Sequence, residues 1–440
     1  PGLDFAFGLI GDGYIEKARE NGWLLIRDDL APSPATTSKT EDLQLKMTLE
    51  PVKNLKIDLN ASRTETTARS VQYMYEGNPT TQTGTFNMTT ISIGSAFESM
   101  GSATNGYHSA TFEKFVNSLP SFAAKYGDQY KGITGHDSGS GNYGEVNPYS
   151  ADVMIPAFLN AYTSMGGNGL RIFPKLRSLL PNWTVRYSGL SQLPWFRDVF
   201  KSVNLNHAYK SVYAVGSYQT YSTWQEYMNG LGYIKDVSTG LLVPSSMYNI
   251  SQVSINESFS PLLGIDVTLH NNLTAKVEYR QTRVLTLSMT SIQLNEALSI
   301  DWVVGAGYKI NNFNLFGGGL KHRQVKSNKR GQDSDNEKQN DSKTTTSNNR
   351  SSVNHDLNLR LDLSYRKQAA IIRDIASLES TASSGNTAFK LSFTADYTLS
   401  RLITMSFYYD MQTNTPLLTS SSYPTTTHDF GLNIKMSLTR

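Results

Sequence analysis

FGLNIKMSLTR, residues 430–440, alternates without a break: Phe430, Leu432, Ile434, Met436 and Leu438 are apolar, and Gly431, Asn433, Lys435, Ser437 and Thr439 are small or polar. A strand points successive side chains to opposite faces, so this segment is apolar on one face and wet on the other. Its length matches the ~9–11 residues with which a tilted strand crosses a bilayer. An amphipathic strand of this kind at a C-terminus is the expected closing strand of an outer-membrane barrel, with Phe430, Leu432, Ile434, Met436 and Leu438 as its lipid face. It is expected to pair with Ile403–Tyr409.

The same period recurs upstream. Leu43, Leu45, Met47 and Leu49 precede a turn at Glu50–Asn54, after which Leu55, Ile57, Leu59 and Ala61 resume it. Val203 to Val215 keeps it with two polar breaks, and Leu263 to Leu269 leads into an Asn271–Asn272 turn. Leu273 to Tyr279, then Leu285, Leu287 and Met289, hold the phase. Leu298 to Ile310 gives seven consecutive hits before Asn311–Asn312. Leu357 to Tyr365, Phe389 to Leu399 and Ile403 to Tyr409 complete the series. Asn tolerates positive φ, and two-residue hairpins need that at both central positions. The reading is about a dozen strands, most near the ~10-residue transmembrane length, rather than the ~5–6 of a soluble sandwich.

Composition agrees. The chain has 440 residues, with 24 Tyr, 18 Phe, 33 Gly and only 18% charged residues. Mean hydropathy is −0.37, as expected when only alternate residues meet lipid. No apolar run is long enough for a membrane-crossing helix. The absence of cysteine excludes a disulfide scaffold and a thiolate metal site. A net charge of +3 gives no basis for a nucleic-acid partner. Pro1 follows no export signal, so the chain is expected to be processed or part of something longer.

Two regions break the alternation. Within 98–182, Phe112, Phe115, Val116, Leu119 and Phe122–Ala123 keep a helical spacing, and Val153–Leu159 reads as a second apolar helix. Lys326–Ser352 has no apolar residue and mixes both charges, the composition of a disordered loop. The expected fold is all-β, a transmembrane antiparallel barrel with a partly helical insertion. Its segments are barrel strands and loops at 1–97, a cap or lumen insertion at 98–182 and barrel strands at 183–325. A polar loop at 326–352 and the C-terminal barrel strands at 353–440 follow. Counting back from a periplasmic Arg440 puts Ser400–Arg401 and Lys326–Ser352 on the periplasmic side and the tight Asn-Asn turns outside. Ordinary barrels do the reverse.

Chemistry is sparse. The seven histidines show no metal-ligand spacing. Gly11-Asp12-Gly13 lacks the alternating ligands of a calcium loop, and Gly317-Gly318-Gly319 lacks the Lys-Ser/Thr of a phosphate cradle. His136-Asp137-Ser138 holds catalytic residue types in a Gly- and Ser-rich loop, where local abundance accounts for them. No catalytic residue, metal or cofactor is expected. The sequons at Asn60 and Asn182 are those a Ser/Thr-rich chain produces by chance. Tyr365, Tyr397, Tyr408, Trp302 and Trp183 sit in or at the ends of strands, where an aromatic girdle belongs.

Several long strings resemble a known family: PGLDFAFGLIGD (1–12), IEKARENGWL (15–24), NPYSADVMIPAFLNAYT (147–163), LPNWTVRYSGLSQLP (180–194), FKSVNLNHAYKSVYAVGSY (200–218), ADYTLSRLITMSFYYD (395–410) and TTTHDFGLNIKMSLTR (425–440). They are similar to the C-terminal part of the giant SprA/Sov outer-membrane protein, the translocon of the type 9 secretion system and gliding motility of Bacteroidetes. The resemblance implies part of a very large barrel with a wide lumen and a lateral gate. Folded cargo with a C-terminal signal domain would cross it. The implied partners are a plug protein, a small-barrel shuttle of the PorV type, the barrel assembly machinery and the lipid bilayer. A self-contained porin or nutrient-uptake barrel is the alternative.

Overall fold

The computed structural model describes residues 3, 14–24, 34–72, 80–131, 144–164, 169–313, 355–400, 402–418 and 422–437. Leu438, Lys326–Ser352, Gly11–Gly13, His136–Ser138 and Gly317–Gly319 lie outside them. Sixteen strands are described: β1 (Ala35–Val52), β2 (Leu55–Val71), β3 (Thr81–Thr89), β4 (Asn182–Tyr187), β5 (Phe200–Thr220), β6 (Gln225–Met228), β7 (Leu231–Lys235) and β8 (Leu242–Ser245). Then follow β9 (Tyr248–Ile250), β10 (Gln252–Leu269), β11 (Leu273–Ser288), β12 (Gln293–Ile310), β13 (Leu357–Asp374), β14 (Ser380–Thr398), β15 (Ile403–Pro416) and β16 (Thr425–Met436). Four helices accompany them: α1 (Tyr14–Glu20), α2 (Ala110–Asp128), α3 (Ala151–Tyr162) and α4 (Pro194–Arg197).

Thirteen strands form one antiparallel sheet in the order β1-β2-β3-β5-β10-β11-β12-β13-β14-β15-β16, with β4 beside β2 and β5 and with β9 on β5. The fold is thus an antiparallel all-β wall with a partly helical insertion. Among the described residues it is open, with β1 and β16 as its edges. The last pairing is the expected one, Met436 opposite Ile403 through Phe430 opposite Tyr409.

The strands are longer than the alternation suggested: β5 has 21 residues and β12 has 18. Leu285 and Leu287 continue the strand of Leu273–Tyr279 rather than starting another, and Met289 lies just past its end. This corrects the expected topology. The connections at 53–54, 270–272 and 399–402 all lie at one end of the wall, as do the end of β12 and the start of β13 that flank the polar loop. The Asn-Asn turn also departs from expectation: Asn272 takes φ 66° but Asn271 does not. With Asn272 N–H donating to the Leu269 carbonyl at 3.3 Å, it is a three-residue loop.

Strands β3 and β4 share one position in the wall. β3 pairs Arg63–Ser70 of β2, and β4 pairs Leu55–Asn60 of the same strand. Between them the chain leaves the wall, at Thr90 rather than at Glu98, and returns at Asn182. Side chains seal the seam: Ser211 N–H donates to Asn182 Oδ1 at 2.8 Å, and Ser62 N–H to Thr89 Oγ1 at 3.1 Å.

The insertion carries the core. α2 starts at the Ser109 cap, whose hydroxyl accepts from Phe112 N–H, and buries Phe112, Phe115, Leu119, Phe122, Ala123 and Tyr126. α3 buries Val153 to Leu159 on every side. Both pack on Phe86, Met88, Tyr213, Val215, Val253, Ile255, Leu285, Leu287 and Leu294 of the wall. A flap of β6-β7-β8 closes the far side, with Tyr130 donating to the Gly232 carbonyl at 3.0 Å and stacking edge-on to Tyr233 at 5.3 Å. The alternation gave no sign of this flap, because its strands have only four or five residues.

Candidate functional site: a two-faced wall

Residues opposite one another in an antiparallel pair share a face. The registers therefore assign a face to every strand. One face carries Leu45, Met47 and Leu49 of β1, Ile57 and Leu59 of β2, and Val185 of β4. It continues through Leu205, Ile265, Val277, Val304, Leu363, Leu391, Met411 and Phe407 to Leu432 of β16. Its large side chains are open to the surroundings: Leu45 is 53% exposed, Trp302 47%, Leu432 59% and Ile434 62%. Phe430 and Met436 of the predicted lipid face are exposed on it too. A contiguous apolar surface of this extent marks a partner or a membrane.

The band has edges. On β12 it runs from Leu298 to Ile310, about 40 Å along the strand at ~3.3 Å per residue, or about 30 Å once tilted as barrel strands are. Across the sheet, Tyr279 opposes Trp302, Trp302 opposes Tyr365, and Tyr365 opposes Phe389. Tyr279 and Trp302 rings lie 4.7 Å apart, and Trp183, Tyr209 and Phe259 extend the row at 4.5 and 4.8 Å. Of the aromatic residues picked out in the sequence, Trp183, Trp302 and Tyr365 join this row. Tyr397 is buried at the tight-turn end against His355. Tyr408 is on the opposite face, because it opposes Gly431; a Cβ there would come within 2.8 Å of the Tyr408 ring.

Beyond the aromatic row the same face becomes charged, and the insertion covers it. Arg283 Nη2 meets Glu257 Oε2 at 2.8 Å, and Arg373 Nη2 meets Glu296 Oε2 at 2.8 Å, all four side chains buried. These groups grip the insertion. Arg283 donates to the Ser95 carbonyl at 2.5 Å and to Ser95 Oγ at 2.9 Å, while Ser92 Oγ donates to Glu257 Oε1 at 2.6 Å. Arg373 donates to the Tyr107 carbonyl. Buried guanidinium and carboxylate groups need such partners. Sequence periodicity missed these four residues because they look like interruptions of the alternation.

The other face is mainly polar, with Val284 and Val303 among its exceptions. Arg366 Nε lies 2.5 Å from Asp301, Lys276 Nζ 2.7 Å from Glu278, Arg360 2.6 Å from Asp362, and Lys56 3.6 Å from Asp58. Ser, Thr and Asn fill the intervals, as in Thr404, Ser406, Asn433 and Thr427. Asn60 and Asn182 pair within this wall, Asn182 being buried. Among the described residues no cluster of His, Asp and Glu could hold a metal ion.

No protein-family model matches the chain, and no curated protein sequence matches it. Among solved structures, two of OmpT, an outer membrane protein of Vibrio cholerae folded in vitro, are similar, one of them in trimer form. They share 8% and 9% identity over 91% and 93% of this chain and 99% of each of theirs, with TM-scores of 0.21. At scores this low the fold is argued from the sheet itself.

Proposed function

We propose that this chain is a segment of an outer-membrane barrel wall that conducts folded proteins, as the resemblance to the SprA/Sov translocon implies. The observation that carries this is the two-faced wall: a band of hydrocarbon thickness with an aromatic row near one end of it on one face, and a mainly polar face behind its strands. Lipid lies against the first and a water-filled lumen against the second. The three short connections at one end belong on the periplasmic side, where barrels keep their tight turns, and the flap and insertion belong outside. The insertion then rests on the outer surface of the wall, above the membrane band, rather than in the lumen.

The polar face suits passage without adhesion. Many of its charges are paired with neighbours on the same or adjacent strands, and both signs are mixed along it, as in Lys276 with Glu278 and Arg366 with Asp301. The wall acts as a conduit rather than a catalyst, with the plug, the shuttle and the cargo signal domains as partners. Among the described residues the outer edges of β1 and β16 carry no partner strand, which favours a wall completed by further strands over a self-contained porin, since an exposed edge invites pairing.

The test is the bore of the native complex in a planar bilayer, freed of its plug. Conductance far above that of a narrow porin, with periplasmic retention of signal-bearing cargo when the protein is removed, is expected. Porin-sized conductance with undisturbed cargo export overturns the proposal.

A further inference from the structure

An open cavity of about 430 Å³ lies where the insertion overhangs the wall, just beyond the aromatic row. The overhang contributes Phe97 and Met100, and the wall contributes Leu298, Ile300 and Ala369, with Lys367 beside them. Gly101 holds the overhang in place at φ 75°, where a Cβ would come within 2.7 Å of the Tyr107 backbone. This size and lining, mostly apolar with a few polar groups that include Glu98, Gln281 and Lys367, is that of a small-molecule site.

Two observations point to the occupant. Ile300 follows Trp302 on the apolar face, so the cavity continues the membrane band without a break. Two charged residues line the cavity, and they differ in what they offer an anion. The Glu98 carboxylate is engaged, accepting from Thr111 N–H at 3.1 Å. Arg283 and Arg373 on the same face are spent in ion pairs, whereas Lys367 is exposed and makes no ion pair among the described residues. We propose that the cavity binds an anionic outer-leaflet lipid, its acyl chain against Leu298, Ile300 and Phe97 and its phosphate on Lys367 Nζ. This rests on the reading of the apolar face as lipid-facing.

The experiment uses the full native protein in nanodiscs carrying traces of lipid with a photoreactive acyl chain, either phosphatidylglycerol or phosphatidylcholine, with crosslinks mapped by mass spectrometry. The anionic probe should label Phe97–Ala103 about five-fold more than the zwitterionic one. Lys367→Glu, and Lys367→Gln should the former misfold, should remove that preference; Ala369→Trp, which fills the cavity, should remove the labelling. Equal labelling by both probes, or labelling of Phe97–Ala103 unchanged in these variants, overturns the site. Crosslinks at Leu361 and Phe393 separate the two failures: present without labelling of Phe97–Ala103, they sink the site alone; absent as well, they sink the lipid-facing reading.

Discussion

Arg283 and Glu257 mark the point where one face of the wall changes its role. Removing one partner of a buried pair strands the other, at a cost of about 3–5 kcal/mol. Arg283→Met should therefore release the overhang, read as rapid proteolysis near Ser95, while the double variant Arg283→Met with Glu257→Leu recovers much of the loss. Leu432 and Asn433 give the matching contrast within the membrane band. Leu432→Arg places charge on the lipid face at about 2–4 kcal/mol near mid-bilayer, and heat-modifiable, correctly assembled protein should fall sharply. Asn433→Arg, on the polar face, should assemble normally. Equal assembly of both would show that neither face meets lipid. Leu432 was legible in the sequence because a two-residue period needs no distant partner to be seen. Arg283 was not, since its carboxylate lies on the neighbouring strand and its acceptors on Ser95, far along the chain.

Among the elements, α2 and α3 were visible from their 3.6-residue spacing, yet their docking face was not. Apolar residues at Leu285 and Leu287 continue the pattern of the membrane band, and only tertiary contact distinguishes a residue covered by Phe158 from one covered by lipid. Phe158→Ala should cost about 3–5 kcal/mol within the insertion and leave band crosslinks intact. The junction of α3 with the flap carries a titratable group. Asp152 is buried and accepts from Ser246 N–H at 3.0 Å; burial holds its carboxyl above the ordinary carboxylate range. A raised folded-state value stabilises the protonated form, so the contribution is complete below the unfolded value near 4 and declines as pH rises through the folded one. Hydrogen exchange of α3, taken relative to the intrinsic rate at each pH, should lose protection as pH rises above the ordinary carboxylate range, and Asp152→Asn should flatten that dependence. An unchanged slope in the variant would assign the effect to another group.

For the whole molecule, the alternation predicted an antiparallel wall but misjudged its height. The band is only the part of each strand that alternates cleanly; the rest continues behind the insertion, where charged residues hide the period. This also explains the misplaced turns, since Leu285 and Leu287 belong to the far half of one strand. The mixture of both charge signs on the polar face makes a further prediction. In a salt gradient the unplugged native complex should show a reversal potential near zero, whereas a strong preference for either ion would mean that this face does not line the bore.

The shared strand position of β3 and β4 bears on how the wall is made. At hairpins such as β1-β2, β10-β11 and β13-β14 each strand can zip onto its predecessor through a short connection, the fast and local route to a sheet. At this position zipping stops half-way: β4 cannot reach Leu55–Asn60 until residues 90–181 have been gathered into a folded body that brings Asn182 back to the seam. Closing so long a loop is slow. Biogenesis should therefore pause with β2 half-paired, and the insertion would act as a timer that has to run out before β5 and all later strands can join.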